Sequence, residues 1–232
     1  TDITANIHTP PAGATVLPGP VLPGMVNAHS HAFQRAFAGL SERRESDSDD
    51  FWSWRDRMYG VALRITPAQM HAVAAQLYVE MLKGGYTQVC EFHYLHHTEG
   101  GSPYDDPAIL SWALADAAEE AGLGLTLLPV LYERAGFAQP ALRDDQRRFA
   151  GTPEFIHSLY RSVQLTGCAR VNAGVAIHSL RAASRESITT LKKLVGDDDV
   201  PIHIHVAEQM QEVNDCLTAT GARPIEWLCR EF

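Results

Sequence analysis

The sequence predicts an α/β chain that forms part of a (β/α)8 barrel, and three observations carry that prediction. Strand-like apolar runs alternate with helix-like segments five times between Met25 and Phe232. Each run is apolar on both faces, as expected of parallel strands buried beneath helices. The unusual polar residues gather at the C-terminal ends of the runs: His29 and His31, Glu91 and Tyr94, Tyr132 and Glu133, His178, then His205 and Glu208. That is the end of a barrel where chemistry collects. A doubly wound dinucleotide fold loses ground, because no G-x-G-x-x-G follows the first strand. Eight units close a barrel; five are present.

Taken in order, residues 1–20 are rich in Pro, Gly, Thr and Ala, with one short strand-like run, "TVLPGPVL". They read as the tail of something whose start is missing. The first strand, "MVNAHSH", leads into an expected long loop, "SERRESDSDDFWSWRDRMYG", polar and then aromatic. A helix is expected over 66–83, opened by a capping Thr66 with Pro67 behind it and closed by Gly84-Gly85. "TQVCEFHY" then precedes a helix over 107–121 ended by Gly122, and "LTLLPVLY" precedes a charged loop and a helix near 153–163. "RVNAGVAIHS" precedes a helix over 184–195, and "PIHIHVAE" precedes helical sequence to the end.

The 232 residues are 45% hydrophobic, enough for one large core or two small ones. A formal net charge of -9 argues against a nucleic-acid surface. No apolar stretch approaches the roughly 20 residues that span a bilayer, and no basic-then-apolar leader opens the chain. Cys90, Cys168, Cys216 and Cys229 show no C-x-x-C spacing and read as buried free thiols in a reducing cytoplasm.

Residues two apart on a strand point the same way, so His29 and His31 can aim both imidazoles at one point in a barrel mouth. Zinc suits such a pair, whose bland alternative is a polar strand end in solvent. "PIHIHVAEQ" supplies a second pair, with His205 as the third ligand and His203 as a deeper packing residue. Glu208, three residues on, can shuttle protons to a leaving nitrogen; otherwise it is a helix-start charge. His93, His96 and His97 read as a histidine-rich loop near an acidic substrate rather than a second metal site. "DSDD" at 47–50 and "GDDDV" at 196–200 read as solvated turns.

"LPGMVNAHSH" together with "HIHVAEQ" resembles the amidohydrolase superfamily of metal-dependent hydrolases, in its mononuclear aminohydrolase branch. "HSHAFQRAFAGL", "FWSWRDRMYG", "EFHYLHH" and "AIHSLRA" narrow the resemblance to the formimidoylglutamate deiminases of bacterial histidine degradation. It runs from about Leu17 onward. The resemblance implies a zinc-dependent hydrolysis of N-formimino-L-glutamate to N-formyl-L-glutamate and ammonia. His29, His31 and His205 become the zinc ligands, Glu208 the proton shuttle, and Gln34 a contact to the formimino end. Arg55, Tyr94, His178 and Arg181 become contacts to the glutamate portion. Guanidinium groups suit a substrate with two carboxylates, which they grip in forked geometry. No lysine ends the fourth strand to bridge a second metal, which agrees with one zinc per subunit; three histidines and a carboxylate suit iron as well.

The resemblance also implies a homodimer; the composition leads to the expectation of a cytoplasmic protein without membrane or nucleic-acid partners. The resemblance assigns residues 1–20 to the remnant of a small β domain and residues 21–232 to the barrel. A histidine after strand six and an aspartate ligand after strand eight belong to the superfamily pattern and fall outside these residues. The chain is therefore expected to be the N-terminal part of a longer enzyme, inactive alone. Two readings compete: a ring aminohydrolase acting on a purine, pterin or triazine, which has no need of two carboxylate-binding arginines, and a non-catalytic metal-binding barrel fragment.

Overall fold

The computed structural model describes residues 4, 9–40, 51–196 and 199–232. The expected turn at 47–50 lies outside them, as do Asp197 and Asp198 of the 196–200 turn and residues 1–3 and 5–8 of the expected β remnant at 1–20. Residues 9–24 contain no strand, so "TVLPGPVL" is a correction: it is exposed and pairs with nothing in the sheet. Its prolines cannot supply the N–H donors a ladder needs.

Six strand segments form one parallel sheet, ordered β1 (Met25–Ser30), β2 (Tyr86–His93), β3 (Gly124–Leu131), β5 (Val175–Ser179) and β6 (Ile202–His205), with β4 (Val171–Ala173) also on β3. The fourth expected strand is therefore split in two at Gly174. The reason is steric: a Cβ on Gly174 would lie 2.2 Å from the Pro201 carbonyl oxygen, so only glycine lets β6 approach there. The sheet curls. Strands four places apart in a flat sheet sit roughly 19 Å from one another, yet His29 Nε2 on β1 and His205 Nε2 on β6 are 3.1 Å apart. The arrangement is a partial (β/α) barrel, as predicted.

Helices follow the strands and their termini obey local chemistry. α1 (Phe51–Ala62) is the second correction, since this stretch was expected to be loop. Met58, Tyr59 and Ala62 all face inward at helical spacing, and burying them outweighs the polar lead-in. Thr66 and Gln69 form a capping box on α2 (Pro67–Lys83), whose Met70, Ala74, Tyr78 and Met81 recur every three or four residues and are buried. α3 (Ile109–Ala121) ends at Gly122, which takes φ +81°. Thr152 caps α4 (Pro153–Gln164) and Ser184 caps α5 (Arg185–Val195). The final helical stretch is two pieces, α6 (Met210–Thr220) and α7 (Pro224–Glu231), because Gly221 turns left-handed and Pro224 starts the next helix.

The core lies between these helices and the sheet, where Val89, Leu125, Leu127, Val130, Val175 and Ile177 are buried on the three central strands. The outer strands differ: Met25, Val26 and Ile202 are exposed apolar residues. All four cysteines are free, but only Cys216 is buried; Cys90 and Cys168 are half-buried and Cys229 is exposed, at odds with the expected burial. α7 is amphipathic, and Cys229 falls on its solvent side. No helix among the described residues is long and apolar enough to cross a membrane.

Candidate active site

All nine sequence-predicted site residues line one cavity of about 250 Å3 at the C-terminal ends of the strands. β1 delivers His29 and the chain just beyond it delivers His31, while β6 ends on His205. Their ligand atoms lie within 4.8 Å of one another, the one such His, Cys, Asp or Glu group of three among the described residues. His31 Nδ1 sits 3.0 Å from the Phe92 carbonyl oxygen, to which it donates, so its Nε2 carries the free lone pair. Burial lowers the pKa of all three rings, with the neighbouring histidines adding to it: His31 falls to about 3 and His205 to about 4. The rings are neutral at pH 7, the state in which imidazole binds a metal.

His203, one pleat below His205, lies outside the cavity and lowers the His29 pKa by its charge, in keeping with a supporting place. Past β6 the backbone turns sharply at Ala207, a non-glycine residue at φ +56°. Such a conformation costs about 1–3 kcal/mol and marks a site where direction matters. Here it brings Glu208 back to the cavity, where Glu208 meets Arg181 at 2.8 Å. Arg181 also lies 3.7 Å from buried Glu212. Two residues given separate roles from sequence are thus an ion pair.

Gln34 stands on the 3-10 turn Ala32–Phe37 and donates to the Tyr94 hydroxyl at 3.3 Å. Arg35 beside it forms a forked pair with Glu80 on α2, with both contacts at 2.9 Å, and stays out of the cavity. Arg55 projects from α1, a helix rather than the expected loop, and its guanidinium lies 5.4 Å from the Tyr59 ring centroid. His178 packs 4.3 Å from the Tyr132 ring, and burial holds its pKa well below the ordinary histidine range.

The His93, His96 and His97 reading is corrected. All three are buried and none lines the cavity, because strand alternation turns Phe92 and Tyr94 toward the barrel interior and His93 away from it. His96 Nε2 meets the Val130 carbonyl at 3.2 Å and His97 Nε2 the Ala150 carbonyl at 2.8 Å, so they anchor loops.

Sequence reasoning gave no role to several lining residues: Trp54, Met58, Tyr59, Tyr132, Gln146 and Phe149. Tyr132 carried a signal as a polar residue at a strand exit. Gln146 and Phe149 lie on a second 3-10 turn, Asp144–Phe149, inside a long loop with no periodicity to mark it.

A sequence model described as "Amidohydrolase family" matches residues 21–228. The chain is 50% identical over 217 residues to a formimidoylglutamate deiminase of Pseudomonas aeruginosa, covering 93% of this chain and 48% of that protein. It is 26% identical over 211 residues to a 5-methylthioadenosine/S-adenosylhomocysteine deaminase of Thermodesulfovibrio yellowstonii, covering 90% of this chain and 41% of that one. Among solved structures, an amidohydrolase from Brucella melitensis superposes with a TM-score of 0.86 at 47% identity, over 94% of this chain and 50% of that chain. The chain therefore spans about half the length of the curated relatives it matches.

Proposed function

The chain belongs to the amidohydrolase family, and from that premise we propose that the whole protein is a metal-dependent deiminase converting N-formimino-L-glutamate and water to N-formyl-L-glutamate and ammonia, in histidine degradation. The observation that carries this reading is the cavity itself, which pairs three converging neutral imidazoles with two arginines. The 50% identity to a formimidoylglutamate deiminase supports the same substrate.

His29, His31 and His205 would hold the metal. An all-imidazole set with room for further ligands fits zinc, and His31 already has the tautomer that leaves Nε2 for it. When bound, such an ion acts as a Lewis acid that lowers the pKa of water to about 7. The remaining roles fall to the protein's own side chains. Arg55, Arg181, Tyr94 and His178 receive the glutamate portion and orient it. Gln34, fixed by Tyr94, addresses the formimino end. Glu208 moves the proton to the departing amine, and the Arg181 guanidinium at 2.8 Å holds its carboxylate in place. Arg181 thereby couples substrate binding to proton transfer.

Turnover by the whole protein tests this reading against the ring aminohydrolase. Arg55→Ala and Arg181→Ala are expected to lower kcat/KM on N-formimino-L-glutamate by at least roughly tenfold each, the scale of a lost charged hydrogen bond. Unchanged kinetics in both variants, or preferred turnover of an adenine nucleoside by the parent protein, would overturn it.

A further inference from the structure

The cavity wall carries a buried polar group that the reaction as described does not use. Gln146 is 2% exposed, and its amide orientation is set from behind: Arg143 N–H donates to Gln146 Oε1 at 3.1 Å. The amide nitrogen must then face the cavity side, where it donates to the Tyr132 hydroxyl at 2.9 Å and the Tyr59 hydroxyl at 3.3 Å. Both N–H groups of the amide are spent on the two phenol oxygens. Each phenol is thereby an acceptor already, and each keeps one proton to give. Tyr132 can place its proton on Tyr59, whose hydroxyl contributes to raising the Tyr132 pKa. The Tyr59 proton then has no acceptor among the described residues, although Tyr59 is only 6% exposed and lines the cavity. A phenol that accepts from Gln146 keeps its own proton to give, and here that proton is available to a ligand in the cavity.

We propose that Tyr59 is a specificity-determining residue whose hydroxyl donates to a carboxylate oxygen of the bound substrate, with Tyr132 and Gln146 as positioning residues that fix the direction of its proton. Tyr59 follows Arg55 by one turn of α1, so a charged and a neutral donor rise from one helix face toward the same cavity. A carboxylate is the ligand that accepts from both at once. The inference deepens the dicarboxylate reading above and rests on it for the substrate's identity, though not for the ligand class.

Kinetics of Tyr59→Phe in the whole metal-loaded protein test it on three substrates: N-formimino-L-glutamate, the formimino derivative of norvaline, which lacks the side-chain carboxylate, and that of γ-aminobutyrate, which lacks the α-carboxylate. The variant is expected to lose roughly ten- to hundredfold in kcat/KM on N-formimino-L-glutamate and on one of the two shortened compounds, and to match the parent on the other. Gln146→Glu, which accepts the phenol proton instead of directing it outward, is expected to show the same selective loss. Equal losses on all three substrates, or none, would overturn the inference and leave the proposed activity standing. If the parent protein does not turn over N-formimino-L-glutamate, the activity falls, and calorimetry with glutarate decides the inference alone. Glutarate binding at least tenfold weaker in Tyr59→Phe supports it; equal affinity, or no binding to the parent, overturns it.

Discussion

Arg148 has no exposed surface, yet its guanidinium donates to the carbonyls of Ala62, Ile65 and His97 and to the Tyr104 hydroxyl. It ties the 3-10 turn that carries Gln146 and Phe149 to the end of α1 and to the histidine loop. Replacing it by Met leaves three carbonyls without donors, and Arg148→Met is expected to cost about 3 kcal/mol or more in urea denaturation. A second expectation concerns pH. Burial holds His96 at about 3 and pushes His93, His97 and His178 below their ordinary 6.5. The unfolded chain binds protons at these sites below pH 6.5 while the folded chain does not, so stability is lost as pH falls from 6.5 toward 3. Buried Glu91 works the other way: burial raises it to about 7, so its contribution falls as pH rises from 4.5 to 7. The four histidines outnumber it, and the Tm of the metal-free protein is expected to drop steadily below pH 6.5; a flat profile from pH 5 to 8 would contradict the burial. At this scale the convergence of His29 with His31 was legible, because a strand's two-residue period points both rings the same way. Arg148 and Gln146 were not, because Arg148 is held by carbonyls 51 and 86 residues away and Gln146 by a phenol 87 residues away.

Among elements, β6 matters most, since it carries His205 to His29. Its seat depends on Gly174, where an added Cβ would strike the Pro201 carbonyl. Gly174→Ala is expected to push β6 outward, destabilise the fold by about 1–3 kcal/mol and weaken zinc binding in a competition titration. Parent-like affinity would show that the strand can give. The loop from β3 supplies a second brace. Arg134 donates to the carbonyls of Leu180, Arg181 and Ala183, and Glu133 accepts from Ser184 N–H and Ser187 Oγ at the start of α5. Arg134→Leu is thus expected to raise KM severalfold with zinc content unchanged, by releasing the segment that holds Arg181. The start of α2 was readable from the capping Thr66 ahead of Pro67, while α4 and α5 were expected near 153–163 and over 184–195 without their caps, Thr152 and Ser184, being picked out. α1 was not, because its inward face mixes Met, Tyr and Ala with Arg and Trp, and its burial against the barrel decides the matter.

For the whole molecule, the curl of five parallel strand positions turns two remote sequence motifs into one site; 176 residues separate His29 from His205. The direction of the strands was legible from where the polar residues fall, and with it the face that bears the cavity. The curl leaves β1 and β6 as the ends of the sheet, with Met25, Val26 and Ile202 in solvent. Unpaired apolar edges recruit other chains. Expressed as these 232 residues, the chain is expected to sediment as species larger than 25.5 kDa, and Val26→Lys with Ile202→Lys to reduce that association. A monodisperse monomer would contradict the expectation.

The proposed function turns on one reaction at one histidine cluster. Ammonia release from N-formimino-L-glutamate by the whole protein, measured before chelation, after it and after zinc is restored, tests that claim most directly. The expected result is one ammonia per N-formyl-L-glutamate, lost on chelation and recovered with zinc, and absent in His205→Ala. A rate that survives chelation or the His205 substitution, or no ammonia from the zinc-loaded parent, would contradict it.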